Sequence, residues 1–126
     1  MTACYLDTSY LVALAFGERE ADDLATRLQT FDLLLSSTLL EAEFRSTLAQ
    51  EGVADGERFL QAVSWILPDR RLTPEIDRIL ATGYVRGADL QHLACALYAA
   101  ESPSDLTFLT LDDRQREIAA ELSFPT

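Results

Sequence analysis

Four carboxylates in this chain of 126 residues fall where a predicted strand hands over to a helix or inside the helix that follows. Asp7 closes Tyr5-Leu6-Asp7-Thr8-Ser9, and Glu43 follows Leu39-Leu40-Glu41-Ala42. Asp89 opens Asp89-Leu90-Gln91-His92, and Asp112 ends Phe108-Leu109-Thr110-Leu111-Asp112. Acids that are dispersed in sequence but gathered by a fold repel one another, and they either take up protons or bind a cation. Ligands that are all oxygen select hard divalent ions, Mg²⁺ or Mn²⁺. Such an ion in an open cleft is suited to hydrolysing phosphodiesters.

Each acid also has a plainer reading. Aspartate is a common helix cap, which covers Asp89. Asp112 and Asp113 together make an acidic helix start, so either one is a candidate for the fourth position. Asp7 is harder to explain away, because a carboxylate at the end of a buried strand needs partners. Glu41 competes with Glu43, but helical phase puts Leu39, Leu40, Ala42 and Glu43 on one inward arc and turns Glu41 elsewhere. His92 lies one turn after Asp89 on the same helix face and reads as a supporting residue behind the ligands rather than as a ligand. Thr8, Ser9 and Thr110 flank the acids and are candidates for orienting them, with helix capping and strand preference as the ordinary explanation.

The elements that must position these groups alternate in type. The chain has the length of one domain, 1–126, and its 48% hydrophobic and 25% charged content is that of a globular protein, not a disordered one. Short apolar runs alternate with amphipathic segments, which predicts an α/β fold with a mostly parallel central sheet. Strands are expected at Ala3–Leu6, Phe31–Leu35, Arg70–Leu72 and Leu106–Leu111, with a short last one at Phe124. Helices are expected from Thr8 or Ser9 to Phe16, from Glu18 to Leu28 and after Ser36-Ser37 to Gln50. Further helices are expected at Asp55–Ile66, from Thr73 to near Gly83, at Asp89–Ala100 and at Asp113–Leu122. Gly17 and Gly52 stand where helices stop, and Pro74 stands at a first helical position.

Cys4 and Cys95 read as small buried hydrophobes, and a single histidine is too few for a zinc site. With no basic-then-apolar leader and no run long enough to cross a bilayer, a reduced cytoplasmic protein is expected. Net charge is −11, and all ten basic residues are arginine. That balance argues against nonspecific nucleic-acid binding by bulk charge, but a bound cation reverses the sign locally.

Taken together, the four acidic motifs resemble a PIN domain, the metal-dependent nuclease fold of the VapC toxins. Tyr5-Leu6-Asp7-Thr8-Ser9 is similar to the family's first motif, and Ser36-Ser37-Thr38-Leu39-Leu40-Glu41-Ala42-Glu43 to its second. Asp89-Leu90-Gln91-His92-Leu93-Ala94 and Phe108-Leu109-Thr110-Leu111-Asp112 are similar to the remaining two. The resemblance spans nearly the whole chain. It implies a three-layer α/β/α domain and an endoribonuclease using Mg²⁺ or Mn²⁺ held by Asp7, Glu43, Asp89 and Asp112. It also implies a homodimer and a VapB-type antitoxin that blocks the cleft.

Arg45, Arg86 and Arg114 are the expected RNA contacts because each lies near an acid in sequence. Phe16, Phe44 and Trp65 are candidates for partner surfaces, with core packing preferred for Trp65. Two other readings compete. Phosphoryl-transfer aspartate proteins also place acids at strand ends, but they resemble families that need a lysine, and this chain has none. A catalytically silent PIN-like module would keep the pocket and act through protein contacts.

Overall fold

Ala3–Leu6 forms β1, the strand from which the functional end of the molecule is laid out. Leu33–Ser37 (β2) pairs with it in parallel, Ala3 opposite Leu33 and Tyr5 opposite Leu35. Val63–Ile66 (β3) extends β2, and Leu106–Leu109 (β4) flanks β1 on its other side, again in parallel. In the computed structural model, which describes residues 2–126, the sheet order is β3-β2-β1-β4.

Helices cover both faces of the sheet, giving the expected α/β/α layering. Thr8–Ala15 (α1), Ala21–Leu28 (α2) and Thr38–Glu51 (α3) pack on one face, around Tyr10, Leu11, Leu40, Phe44 and Leu48. Thr73–Thr82 (α4), Gly87–Ala99 (α5) and Asp113–Glu121 (α6) pack on the other, around Ile79, Leu93, Ala96 and Ile118. Alternation along β1 sends Cys4 and Leu6 into the first core and Tyr5 into the second. A parallel strand buried on both faces must be apolar throughout, and β1 is. Gly52 ends α3 at φ 67°, a left-handed turn that glycine adopts without a Cβ penalty. No helix among the described residues is long and apolar enough to cross a membrane.

Residues 55–66 depart from expectation. Phe59, Leu60, Val63 and Ile66 have helical spacing, but only Glu57–Leu60 makes a 3₁₀ turn, and Val63–Ile66 is a strand. Without it, β2 would be an exposed edge of unpaired backbone groups. The β-branched Val63 and Ile66 and the aromatic Trp65 suit that place. Arg70–Leu72 is therefore not a strand: Arg70 pairs with Glu75, and Leu72 is the buried N-cap of α4. Phe124 lies outside the sheet as well, although the adjoining Pro125 carbonyl accepts a hydrogen bond from Phe108 N–H at 2.8 Å. Phe44 is fully buried and contributes to no surface, and Trp65 packs part-buried against the α1–α3 core from the strand instead of from a helix.

Cys4 and Cys95 lie buried on opposite sides of the sheet, both as free thiols. Burial pushes the Cys4 thiol up to about 12, so it is protonated and inert at neutral pH.

Candidate active site

The sheet order reverses direction at β1. The chain leaves β1 toward β2 and β3, and returns to the far side for β4. In an open parallel sheet the crevice beyond the strand ends at such a switch point is where ligands bind. Asp7 stands there as the first residue after β1, its N–H bonded to the Leu109 carbonyl of β4 at 2.9 Å. Asp7 is also the N-cap of α1 and is 4% exposed. Its Oδ2 accepts from Ser9 N–H at 3.1 Å and from the Ser9 hydroxyl at 2.6 Å. That hydroxyl in turn accepts from Leu111 N–H at 3.0 Å, which ties the loop after β4 to the start of α1.

Glu43 reaches the same cleft from α3. The Thr8 hydroxyl donates to Glu43 Oε1 at 2.7 Å, and His92 Nε2 lies 3.0 Å from the same oxygen. A carboxylate only accepts, so His92 carries its proton on Nε2. Nδ1 is then the acceptor for the Tyr5 hydroxyl, 2.7 Å away. His92 is 1% exposed and Tyr5 is fully buried, so this relay is internal to the protein. The hydrogen bond from His92, supported by the one from Thr8, holds Glu43 below the usual carboxylate range and therefore ionised. Glu41 faces the other way and is paired with Arg45 Nε at 3.0 Å.

Asp89 arrives in the first turn of α5, half-buried. Burial raises its pKa, and repulsion from Asp112 and then Asp7 raises it further, against weaker help from Arg86 and His92. Three carboxylates are thus close enough to disturb one another. Asp112 is the N-cap of α6 and accepts from Gln115 N–H at 2.7 Å. Its neighbour Asp113 points outward and pairs with Arg116 at 2.7 Å.

The expected arginine contacts diverge. Arg45 is bound to both Glu41 and Glu57. Arg114 bonds the Tyr84 carbonyl at 3.2 Å and pairs with Glu117 at 3.3 Å. Arg86, exposed at the N-cap of α5, makes no ion pair or side-chain hydrogen bond among the described residues.

Gln115 is a site residue that motif reading passes over. It is fully buried. Its Nε2 lies 3.2 Å from Asp7 Oδ1 and 3.4 Å from the Asp89 carbonyl, and its Oε1 lies 2.7 Å from the Thr110 hydroxyl. One sequence signal does exist: Gln115, Ile118, Ala119 and Leu122 share the inward face of α6, and Gln115 is the polar exception on it. Tyr5 was equally unmarked, since its hydroxyl partner lies 87 residues away.

Comparison with known proteins gives the same picture across the chain. Residues 4–121 match the PIN domain family. The chain belongs to the PIN domain family. It is 34% identical to Ribonuclease VapC46 of Mycobacterium tuberculosis (strain ATCC 25618 / H37Rv) over 125 residues, which is 97% of this chain and 94% of that protein. No solved structure matches it.

PIN-domain VapC nucleases generally depend on a divalent metal. The four acids of this PIN domain fit such an ion chemically. All four are carboxylates, and Asp7 Oδ1 carries only the one bond from Gln115. The Asp89–Asp112–Asp7 repulsion leaves negative charge uncompensated in the cleft. Among the described residues, no three acidic, histidine or cysteine side chains close around a point as they stand. Mg²⁺ keeps several of its waters and is usually held by one or two carboxylates, so a closed protein cage is not required. A separate groove of about 740 Å³ lies away from the acids, lined by Leu14, Ala21, Leu28, Phe31, Leu34 and Phe59.

Proposed function

We propose that this PIN domain is a metal-dependent endoribonuclease, the toxin of a VapBC-type pair. The observation that carries this reading is the meeting of Asp7, Asp89 and Asp112 at the β1/β4 switch point, where Asp112 and Asp7 raise the cost of charge on Asp89. Asp7, Glu43, Asp89 and Asp112 would hold Mg²⁺ or Mn²⁺. When bound, the cation supplies Lewis-acid activation of water and charge stabilisation at phosphorus.

The protein's own groups do the rest. Ser9 fixes Asp7 Oδ2, leaving Oδ1 for the cleft. His92 and Thr8 keep Glu43 ionised and aimed. Thr110 ties the backbone at Asp112 by accepting from its N–H at 3.1 Å. Arg86, which makes no ion pair among the described residues and acts on Asp89 only at longer range, is placed to meet a phosphate.

Single-stranded RNA is the substrate form favoured, since unpaired bases are open to recognition in a way that A-form grooves are not. A VapB-type antitoxin is the proposed inhibitor. The apolar groove between α1, α2 and the β2–β3 edge carries Asp22 and Asp32 on its lining and suits an apolar segment with basic flanks. A homodimer is proposed as well, with exposed Leu80 and Tyr84 available for contact.

The test is cleavage of a total RNA pool by the purified protein with Mn²⁺ or Mg²⁺, beside Asp7→Asn and an EDTA control. Cleavage that needs both the metal and Asp7 is expected. Absence of cleavage by wild-type protein that binds Mn²⁺ would overturn the enzymatic reading in favour of a binding module.

A further inference from the structure

We infer that Gln115 is the positioning residue of the acid cleft: its neutral amide sets the spacing between Asp7 and the start of α5 while leaving their negative charge intact for a cation. This inference rests on the nuclease reading and extends it to a residue outside the four acidic motifs.

The amide orientation follows from its neighbours. Asp7 Oδ1 can only accept, so the nitrogen of Gln115 must face it at 3.2 Å. The reverse orientation would set two acceptors against each other. Nε2 then also points to the Asp89 carbonyl at 3.4 Å, and Oε1 receives the Thr110 proton at 2.7 Å. The backbone N–H of the same residue donates to Asp112 Oδ1 at 2.7 Å. One residue therefore touches three of the four positions that carry the acids, and contacts the backbone rather than the side chain at Asp89. No other residue among the described ones bonds to Asp7, the α5 terminus and Asp112 together.

Neutrality matters here. An arginine or lysine in the same place would satisfy Asp7 more strongly, but it would also cancel the charge that attracts a cation. An apolar side chain of the same length would leave Asp7 Oδ1 without its buried donor and the Thr110 hydroxyl with the longer bond to Asp7 Oδ2, at 3.2 Å, in place of the one to Oε1. Glutamine alone among the uncharged side chains of that reach both donates to the carboxylate and accepts from the threonine. It preorganises the cleft without competing for it, and this is the usual task of groups behind metal ligands.

Gln115→Met keeps the length and removes every side-chain hydrogen bond. Mn²⁺ binding is measured by electron paramagnetic resonance of the free ion, alongside thermal melting without metal and cleavage against Mn²⁺ concentration. The expected result is Mn²⁺ affinity weakened roughly tenfold, with cleavage recovering at high Mn²⁺ while Asp7→Asn does not recover. An Mn²⁺ affinity equal to wild type with only a lowered Tm would overturn the inference and leave Gln115 as packing.

Should Gln115→Met fail to fold, Gln115→Glu preserves the shape and replaces the amide donor by a carboxyl that cannot donate to Asp7 once a cation keeps it ionised. Its metal-free Tm is expected to fall and Mn²⁺ to raise it by more than in wild type; equal Mn²⁺ shifts in the two proteins would overturn the inference. A wild-type protein that leaves Mn²⁺ entirely free overturns the metal reading itself. That result is separate from either variant's behaviour.

Discussion

The two halves of the acid cleft are built differently. On one side, Asp7 and Glu43 are held by Ser9, Gln115, Thr8 and His92, and His92 is itself held by Tyr5. On the other, the carboxylate of Asp89 makes no hydrogen bond among the described residues and is pushed toward protonation by burial and by its acidic neighbours. Asp112 stands between the two conditions, bonded to the Gln115 backbone but facing Asp89. The contrast teaches that the protein prepares half of the site in advance and leaves the other half under electrostatic tension. A cation held there, as proposed, would relieve that tension, and its binding would be coupled to the stability of the Asp89 side more than to that of the Asp7 side.

The contrast can be broken most severely at Asp7. Asp7→Asn is expected to lower cleavage about a thousandfold, several kcal/mol of lost transition-state stabilisation, while the domain stays folded by circular dichroism. A residual rate near wild type would show that the prepared half is not where catalysis depends on charge.

The relay behind Glu43 comes next. His92→Ala removes a buried ring and strands the Tyr5 hydroxyl, so a loss of about 3 kcal/mol is expected in denaturant unfolding. Tyr5→Phe should cost only about 1 kcal/mol, because His92 Nδ1 alone loses its partner. Equal losses in the two variants would mean that the hydrogen-bonded chain, not the packing of the ring, dominates this region.

The halves should also respond to pH with opposite signs. Glu43 has a folded-state pKa below its unfolded value, so its stabilisation is present above the ordinary carboxylate range and is lost as pH falls through the lowered value. Asp89 has a folded-state pKa above its unfolded value, so its ionisation opposes folding at neutral pH, and this cost vanishes as pH falls below the unfolded value. In metal-free protein at pH 7, Asp89→Asn is expected to raise Tm by roughly 2 °C and Glu43→Gln to lower it by a similar amount. Both differences should shrink on acidification. Shifts of the same sign would erase the distinction between prepared and strained halves.

The smallest effect is expected outside both halves. Arg86→Ala should leave Tm unchanged and weaken RNA binding roughly fivefold, with a salt dependence shallower by about one ion. The measurement is fluorescence anisotropy of a labelled RNA with Asp7→Asn protein across a salt series. Unchanged affinity would remove Arg86 from the substrate path.

Much of this was legible in the chain itself. β1 could be read because a strand buried on both faces must be apolar throughout, and Asp7 stood out because charge at the end of such a strand needs a reason. Helical phase separated Glu43 from Glu41 on α3, and the structure gives Glu41 to Arg45. The sequence alone thus determined the α/β class, the alternation of elements outside residues 55–72 and the positions of the acids, since each depends on local periodicity and on burial. Only the tertiary structure decided that residues 63–66 are a strand, because an unpaired edge of β2 outweighs helical spacing. It alone joined Tyr5 to His92 and Gln115 to Asp7, across 87 and 108 residues. Hydrogen bonds between side chains so far apart leave no periodic trace in a sequence, because what specifies them is the path of the backbone in space.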